Sequence, residues 1–238
     1  MHYLVLLHDT EDAASVPGTP EWDAEVAEYA AFGEEAGDHI AGGEALQPSK
    51  QGLVVRHVDG APVVTEGAFA ETAEVVGGYY VLEADDLDVA LDVARKLPAL
   101  RTGAVEVRPM VGWWRPGATP AAGSTRWLAL LHGAPTEADR PGSPSWEAAE
   151  AAHAVFEREH DRHLISGAAL QPPDTATTLR RRDGELVVSD GPFAETAEVV
   201  GGYYELWAAD REEAVRIAER IPVGAGAVEL RPIVEWDT

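Results

Sequence analysis

The hydrophobic and polar positions at the start of the chain predict a strand followed by a helix. Residues Tyr3 to Leu7 form an uninterrupted apolar run, which is typical of a buried strand. A loop rich in Gly, Pro and Asp follows, and Thr19 and Pro20 then supply a capping hydroxyl and a first-turn proline. Apolar side chains recur at helical spacing from that point, so we expect a helix that ends at about Gly37.

A hairpin, a central strand, a second helix and a last strand complete the pattern. The dipeptide Asp59-Gly60 separates two strand-like runs within residues 53–64, and this dipeptide favours a tight hairpin turn. Residues 78–84 predict a central strand, and residues 104–111 predict a closing strand beyond a second helix. The order β, α, β hairpin, β, α, β is that of a split βαβ, ferredoxin-like α+β domain with its helices on one face of the sheet.

The same pattern occurs a second time along the chain. The segment FAETAEVVGGYY stands at residues 69–80 and again, unchanged, at residues 193–204, which is a spacing of 124 residues. Because hydrophobic patterning constrains the class of a residue and not its identity, this match indicates an internal repeat. We therefore predict two homologous domains, residues 1–114 and 127–238. Residues 115–126, rich in Gly, Pro and Ala, are the predicted linker.

A four-stranded sheet with helices on one face leaves its other face open. The second domain can cover that face, so we expect the two domains to pack as an intramolecular pseudo-dimer. The chain should then be a monomer and not a homo-oligomer. Covalent linkage removes most of the cost of association, which is about 4–15 kcal/mol for two separate chains.

Composition narrows the classes of function. Hydrophobic residues make up 45% of the 238 residues, and no apolar run approaches the ~20 residues that span a bilayer. We therefore expect a globular, cytoplasmic protein that does not bind membranes. The absence of cysteine excludes thiolate nucleophiles, disulfides and cysteine-ligated metals. A formal net charge of −24 argues against nucleic acid as a partner; the charge serves solubility, or it attracts a basic protein partner or a cationic ligand.

Histidine and carboxylate side chains recur at matching positions of the repeats and are the candidate catalytic groups. His8 and His132 follow the first apolar run of each repeat, where a side chain can enter a pocket and exchange protons near neutral pH. Hydrogen bonding of both imidazoles to the backbone is the alternative. Glu71 and Glu195 are candidate acid–base partners in the repeated loop, or they cap that loop by accepting backbone N–H bonds. Asp190 is a turn residue or a third carboxylate at the pocket.

Further repeated residues are candidates for binding a small molecule. Arg56 and Arg180, on the hairpins, can hold a substrate carboxylate or pair with some of the many acidic side chains. The remaining candidates can contact a ligand or serve the backbone and the core: Gln47, Gln171, Phe69 and Phe193. His160 and His163 have a spacing that suits a metal ion, but the first repeat has Ala36 in place of His160. We therefore expect neither a metal nor a cofactor, and the sequence contains no phosphate-binding loop motif.

The segment from Asp190 to Tyr204, DGPFAETAEVVGGYY, resembles the DGPF branch of the YCII-related family. The resemblance covers essentially all of the second domain and extends to the first through GGEALQPS and FAETAEVVGGYYVLEADDLDVALDVARKLP. It implies a dimeric α/β barrel, in which two ferredoxin-like units face their sheets toward each other and hold pockets between sheet and helices. In two departures, Ala73 and Ala197 replace a lysine that is usual in the motif, and residues 66–68 read EGA where residues 190–192 read DGP.

Three functions are compatible with these residues and with the resemblance. The first is a cofactor-independent small-molecule enzyme, an isomerase or lyase, in which His132 is the acid or base and Glu195 orients it or shares its proton. The second is a non-catalytic ligand-binding or regulatory protein, because DGPF relatives are often associated with extracytoplasmic-function sigma factors. The third is a cofactorless oxygenase, by similarity to related barrels. In an enzyme, we expect the site around His132 and Glu195 to dominate over that around His8 and Glu71.

Overall fold

The computed structural model of the chain describes residues 1–10, 19–69, 74–134, 140–193 and 198–236. Within these ranges both repeats have the same order of helices and strands. The first repeat contains β1 (His2–Thr10), α1 (Pro20–Ala36), β2 (Ile40–Ala45), β3 (Leu53–Val58), β4 (Ala61–Glu66), β5 (Glu74–Glu83), α2 (Leu87–Ala94) and β6 (Ala104–Trp114). The second contains β7 (Thr125–Gly133), α3 (Pro144–Glu159), β8 (Leu164–Leu170), β9 (Thr177–Arg182), β10 (Glu185–Asp190), β11 (Val199–Ala208), α4 (Arg211–Ala218) and β12 (Ala227–Pro232). The predicted α+β class and tandem organisation are confirmed.

The long helices begin where their capping residues predict. The hydroxyl of Thr19 accepts a hydrogen bond of 3.3 Å from the N–H of Trp22 at the start of α1. Ser143 accepts the equivalent bond from Trp146 at 3.1 Å and starts α3. α1 ends at Ala36, next to the predicted end. Of the helices that the structure describes, none is long and apolar enough to cross a membrane.

Two strands, β2 and β8, are not predicted by the local sequence. They pair with β5 and β11 and complete the four-stranded ferredoxin-like orders β2-β5-β1-β6 and β8-β11-β7-β12. Their segments, IAGGEA and LISGAAL, contain few β-branched side chains and no regular alternation of apolar and polar residues. These two segments therefore become strands because they pair with a neighbouring strand, and not because of their own sequence.

The Asp-Gly hairpins form as predicted, and each joins the last strand of the other repeat. Asp59 and Asp183 have φ angles of 51° and 52°, and each is followed by a glycine with positive φ, as a type I′ turn requires. β3 pairs antiparallel with β12, from Leu53 opposite Leu230 to Arg56 opposite Ala227. β9 pairs with β6 in the same way. The turn sets the register between its own two strands and does not determine which sheet the hairpin joins.

The chain divides into two compact units that exchange these hairpins. The first unit contains Met1–Ala45, Thr72–Pro109 and Asp174–Phe193. The second contains Leu46–Glu71, Met110–Pro173 and Ala194–Thr238. Each unit therefore combines most of one repeat with the hairpin of the other repeat, and the compact units do not follow the boundaries of the sequence repeats.

The first unit is an antiparallel sheet in the order β2-β5-β1-β6-β9-β10, with α1 and α2 packed on it. Its hydrophobic core combines side chains from the strands and both helices, among them Val5, Phe32, Leu91, Val105, Val107 and Leu179. Successive side chains of a strand point to opposite faces of the sheet. In β6, Val105 and Val107 face this core, so Glu106 and Arg108 project from the opposite face.

The second unit has the equivalent order β8-β11-β7-β12-β3-β4, and the end of β6 from Met110 to Trp114 pairs with β8. Its core likewise combines strand and helix residues, among them Leu53, Leu131, Phe156, Ile217, Val228 and Leu230. Glu229 and Arg231 alternate with core residues along β12, so they project from the face opposite to the core. Both units thus place a carboxylate and a guanidinium at the same position of their closing strand.

Candidate functional site

His132 lies near the end of β7 in the second unit, where two neighbouring strands hold its backbone. It is opposite Ala227 on β12 and opposite Val200 on β11. Gly226, just before β12, is so close that a Cβ built there would lie 2.0 Å from the carbonyl oxygen of His132. Glycine is therefore needed at position 226. The side chain of His132 is buried, with only 9% of its surface exposed.

A buried carboxylate and a buried guanidinium stand next to this imidazole. Oε2 of Glu229 is 3.1 Å from Nε2 of His132. Oε1 of Glu229 accepts a hydrogen bond of 3.3 Å from Arg231, and Arg231 also donates to the carbonyl oxygen of Gln47 at 2.8 Å. The side chains of Glu229 and Arg231 are 6% and 1% exposed. Each buried charge has a partner of opposite charge, without which its burial would be strongly unfavourable.

The groups around Glu229 determine its protonation state. Burial acts to raise the pKa of this carboxyl group, but the hydrogen bond from His132 and the charges of His132 and Arg231 outweigh burial and hold the pKa below its usual range. Glu229 is therefore ionised at neutral pH and accepts a hydrogen bond from a protonated Nε2. In the neutral imidazole, Nδ1 is then the nitrogen that can accept a proton from a ligand.

An aromatic ring from the first repeat covers the imidazole. Phe69 stacks on His132 with ring centroids 3.8 Å apart and planes inclined by 7°. The guanidinium of Arg56, on β3, lies over the Phe69 ring at 4.9 Å from its centroid. Arg56 also forms two hydrogen bonds with Glu198, of 2.9 and 2.6 Å. These bonds raise the pKa of Arg56 and lower the pKa of Glu198, so both side chains are charged at neutral pH.

The first unit repeats this arrangement around His8. Nε2 of His8 is 3.8 Å from Oε2 of Glu106, and Oε1 of Glu106 accepts a hydrogen bond of 3.2 Å from Arg108. Phe193 stacks on His8 with ring centroids 4.2 Å apart and planes inclined by 20°. The remaining members also match: Arg180 lies 4.8 Å from the Phe193 centroid and pairs with Glu74, and Gly103 lies against the carbonyl oxygen of His8.

The two sites differ in the contact between imidazole and carboxylate. The 3.1 Å separation between His132 and Glu229 is a hydrogen bond, whereas the 3.8 Å separation between His8 and Glu106 exceeds hydrogen-bond reach. Oε2 of Glu106 accepts a hydrogen bond of 2.8 Å from the backbone N–H of Phe193 instead. The site in the second unit is therefore the better arranged for proton transfer to and from its histidine.

The structure brings together six of the residues that the repeat predicts as site residues: His8, Arg180 and Phe193 in the first unit, and His132, Arg56 and Phe69 in the second. Gln47 takes part through its backbone carbonyl, and Gln171 directly follows β8. Asp190 is the exposed last residue of β10, opposite Thr177. Glu71 and Glu195 lie outside the described residues, so their roles stay predictions.

Reasoning from the sequence misses the charged partners of these side chains: Glu74, Glu106 and Arg108, and their equivalents Glu198, Glu229 and Arg231. A signal exists for those on the closing strands. The segments AVEVRP and AVELRP place two charges at alternate positions of an otherwise apolar strand, and the pattern occurs in both repeats. Charges on the second face of such a strand indicate a polar site there. Glu74 and Glu198 carry no comparable signal, because their arginine partners belong to the other repeat.

Other histidines bond to the backbone. Nδ1 of His39 is 3.1 Å from the carbonyl oxygen of Glu83, and Nδ1 of His163 is at the same distance from that of Trp207. Nδ1 of His160 is 3.0 Å from the carbonyl oxygen at the preceding helical turn. These contacts fix the imidazoles of His39, His160 and His163 to the backbone. Within the described ranges, no group of three or more His, Asp or Glu side chains is arranged to hold a metal ion.

Known proteins resemble this chain at three levels. The model of the YCII-related domain matches residues 1–114 and 126–237. An uncharacterized protein of Rhizobium meliloti (strain 1021) is 40% identical over 78 residues, which are 32% of this chain; the match spans 62% of that protein, less than two thirds of its length.

A structure described as a candidate chlorite dismutase is 7% identical, over 98% of this chain and 94% of its own, with a TM-score of 0.44. A heme-binding protein from Thermus thermophilus is 12% identical, over 98% and 91%, with a TM-score of 0.43. Both TM-scores are below 0.5, so these two likenesses carry no conclusion about this chain.

Proposed function

The chain belongs to the YCII-related domain family, and we propose that it is a small-molecule enzyme that catalyses proton transfer, by isomerisation or elimination, without a cofactor. In this proposal His132 is the acid and base, and Glu229 orients it. The single observation that supports it most directly is the 3.1 Å hydrogen bond between these two buried side chains.

The two side chains of this pair have separate roles. Ionised Glu229 accepts the hydrogen bond from Nε2–H, which fixes the tautomer and the orientation of the imidazole. Nδ1 of His132 can then remove a proton from a carbon acid, and Glu229 stabilises the positive charge that develops on the ring. Return of that proton to another carbon completes an isomerisation, whereas departure of a leaving group from the resulting carbanion completes an elimination. Arg231 balances the charge of Glu229 throughout.

Burial strengthens these interactions. The side chains of His132 and Glu229 are 9% and 6% exposed, and charges attract more strongly where water is largely excluded. Phe69 covers one face of the imidazole and shields it from water. The site therefore combines a proton-transfer group with an environment that limits competition from water.

Hydrogen–deuterium exchange tests this proposal before any product is known. The full chain is incubated in D2O with pools of small ketones and carboxylic acids, and NMR follows the loss of their C–H signals. We expect the wild type to accelerate the exchange of at least one compound. His132→Gln should abolish the acceleration, because an amide does not take up a proton at neutral pH. Glu229→Gln should slow it by about 100-fold or more, since the imidazole loses the charge that stabilises its protonated form.

His8→Gln is the matched control for His132→Gln, because His8 has the same position in the other unit. It should retain most of the exchange activity, since His8 is 3.8 Å from its carboxylate. Equal losses in the two variants would contradict the assignment to the second unit. Unchanged exchange in His132→Gln would overturn the proposal as a whole.

A non-catalytic ligand-binding role is the second candidate, and a regulatory role with a basic partner is one form of it. The observation in its favour is that Phe69 stacks directly on His132, as Phe193 does on His8, so that one face of each imidazole is closed. Net charge of −24 would suit a basic partner. For this function, small molecules should bind to the wild type with no exchange of their C–H groups in any variant.

A further inference from the structure

Two arginines lie close to the His132 site, and they differ in exposure. The Arg231 side chain is 1% exposed and is held by Glu229 and by the carbonyl oxygen of Gln47. The Arg56 side chain is 35% exposed and lies over Phe69, the ring that stacks on His132. Arg56 is therefore a cation beside the imidazole that a dissolved molecule can reach.

Arg56 is occupied by a carboxylate of the protein itself. Glu198 accepts two hydrogen bonds from it, of 2.9 and 2.6 Å, in the fork geometry with which arginine recognises a carboxylate ligand. The Glu198 side chain is 24% exposed, so it can turn toward solvent without becoming a buried, isolated charge. Because both side chains of this pair are partly exposed, a dissolved carboxylate can compete with Glu198 for Arg56.

The first unit contains the same ion pair at the same place. Arg180 lies over Phe193, the ring that stacks on His8, and pairs with Glu74; both charged side chains are 31% exposed. In each unit the arginine and the glutamate come from different repeats. The recurrence of the pair beside both histidine-covering rings indicates that it is part of the site and not an incidental surface contact.

From this geometry we propose that the substrate is a small carboxylate, that Arg56 binds its carboxylate group, and that Glu198 occupies Arg56 when the substrate is absent. This inference rests on the proposed function, since it names a substrate class for the site at His132. A carboxylate that takes the place of Glu198 on Arg56 is close to the imidazole, because the pKa of Glu198 is lowered by its hydrogen bonds from Arg56 and also by the charge of His132. On a chain with a net charge of −24, a partly exposed arginine supplies a local positive charge to which an anionic substrate can bind.

Binding of simple carboxylates to the full chain tests this proposal. The probes are acetate and benzoate, with acetamide and benzamide as uncharged matches, and isothermal titration calorimetry measures their affinities. We expect Glu198→Gln to bind at least one carboxylate about two- to fivefold more tightly than the wild type, because the internal competitor is gone. Arg56→Gln should lose carboxylate binding. The amides should respond to neither substitution.

Glu235→Gln is the matched control, because Glu235 also pairs with an arginine of the second unit, Arg126, and is 53% exposed. It removes one negative charge and should leave the affinities unchanged. Circular dichroism checks folding, and Glu198→Ser replaces Glu198→Gln if the latter does not fold. The proposal is overturned if neither carboxylate binds to the Glu198 variant, if Arg56→Gln binds as the wild type does, or if Glu235→Gln tightens binding as much as Glu198→Gln.

The binding assay uses variants of Glu198 and Arg56 and the exchange assay uses variants of His132, so the two proposals can fail separately. If the Glu198 and Arg56 variants change carboxylate binding as expected, but hydrogen–deuterium exchange does not depend on His132, the proposed function fails and the ligand class stands. If exchange depends on His132 but the Glu198 and Arg56 variants bind unchanged, the function stands and the carboxylate site is refuted.

Discussion

Phe69 and His132 stack with their ring centroids 3.8 Å apart and their planes 7° from parallel, although they belong to different repeats of the chain. Phe193 and His8 have the same relationship in the first unit. Each histidine is covered by a ring from the other repeat, so neither repeat contains a complete site by itself. The segment FAETAEVVGGYY serves both units: its phenylalanine covers the histidine of the other repeat, and its second glutamate pairs with the arginine of the other repeat's hairpin.

Removal of the Phe69 ring is expected to expose His132 and to leave His8 unchanged. Phe69→Ala should increase the rate at which diethyl pyrocarbonate modifies His132, because the ring no longer covers the imidazole. Loss of the stacked ring should also lower the free energy of unfolding by about 1–3 kcal/mol. Phe193→Ala is the matched variant and should expose His8 alone. Mass spectrometry of modified peptides measures both rates, and faster modification of the histidine in the same repeat would contradict the exchange of hairpins.

Replacement of Gly226 is expected to disturb the backbone that carries His132. A Cβ at Gly226 would lie 2.0 Å from the carbonyl oxygen of His132, so Gly226→Ala must separate two paired strands. We expect a loss of about 1–3 kcal/mol in the free energy of unfolding in urea. Gly133→Ala is the control, because no atom lies within 4 Å of a Cβ at that position. Equal effects of the two substitutions would show that the close approach at Gly226 has no energetic consequence.

The low pKa of Glu229 predicts a contribution to stability that depends on pH. The pKa is lower in the folded chain than the ordinary value of 4.5, so this carboxyl group binds protons less readily when folded. Its stabilising effect is complete above the unfolded-state pKa and is lost as the pH falls through the folded-state pKa. The difference in free energy of unfolding between the wild type and Glu229→Gln should therefore shrink as the pH falls below 4.5. Urea titrations at several pH values measure it, and a constant difference would contradict the expectation.

His153 is expected to destabilise the fold in mild acid. Its Nδ1 is 2.9 Å from the hydroxyl of Tyr204, which donates to Glu157, and burial lowers the pKa of His153 below 6.5. The folded chain therefore binds this proton less readily than the unfolded chain, so stability falls as the pH drops below about 6.5. His153→Gln should flatten the pH dependence of the free energy of unfolding in this range. A slope in His153→Gln equal to that of the wild type would contradict this expectation.

The hairpin exchange predicts how a separated repeat behaves. In the intact chain β3 of the first repeat pairs with β12 of the second, so residues 115–238 alone lack this neighbour. Two copies can supply hairpins to each other, and we expect the isolated repeat to dimerise or precipitate. The intact chain is predicted to be a monomer, with a mass near 25.4 kDa by light scattering. A folded, monomeric isolated repeat would count against this account.

The local sequence by itself determined the elements whose signals lie within a few residues. Thr19 and Ser143 cap the long helices because a hydroxyl there meets an N–H three residues later. Asp59-Gly60 and its copy form hairpin turns because these residues tolerate positive φ. The repeat also identified His8 and His132 as equivalent, since residue identity at a fixed spacing needs no knowledge of the fold.

Only the tertiary structure decided which distant segments meet. β2 and β8 become strands through their neighbours, and each hairpin joins the other repeat because its turn sets no partner beyond its own two strands. The closing-strand pattern shows that Glu229 projects away from the core, but its contact with His132 spans 97 residues of sequence. Such a contact depends on how strands pair and on which side chains share one buried face, and these relations arise only when the whole chain packs.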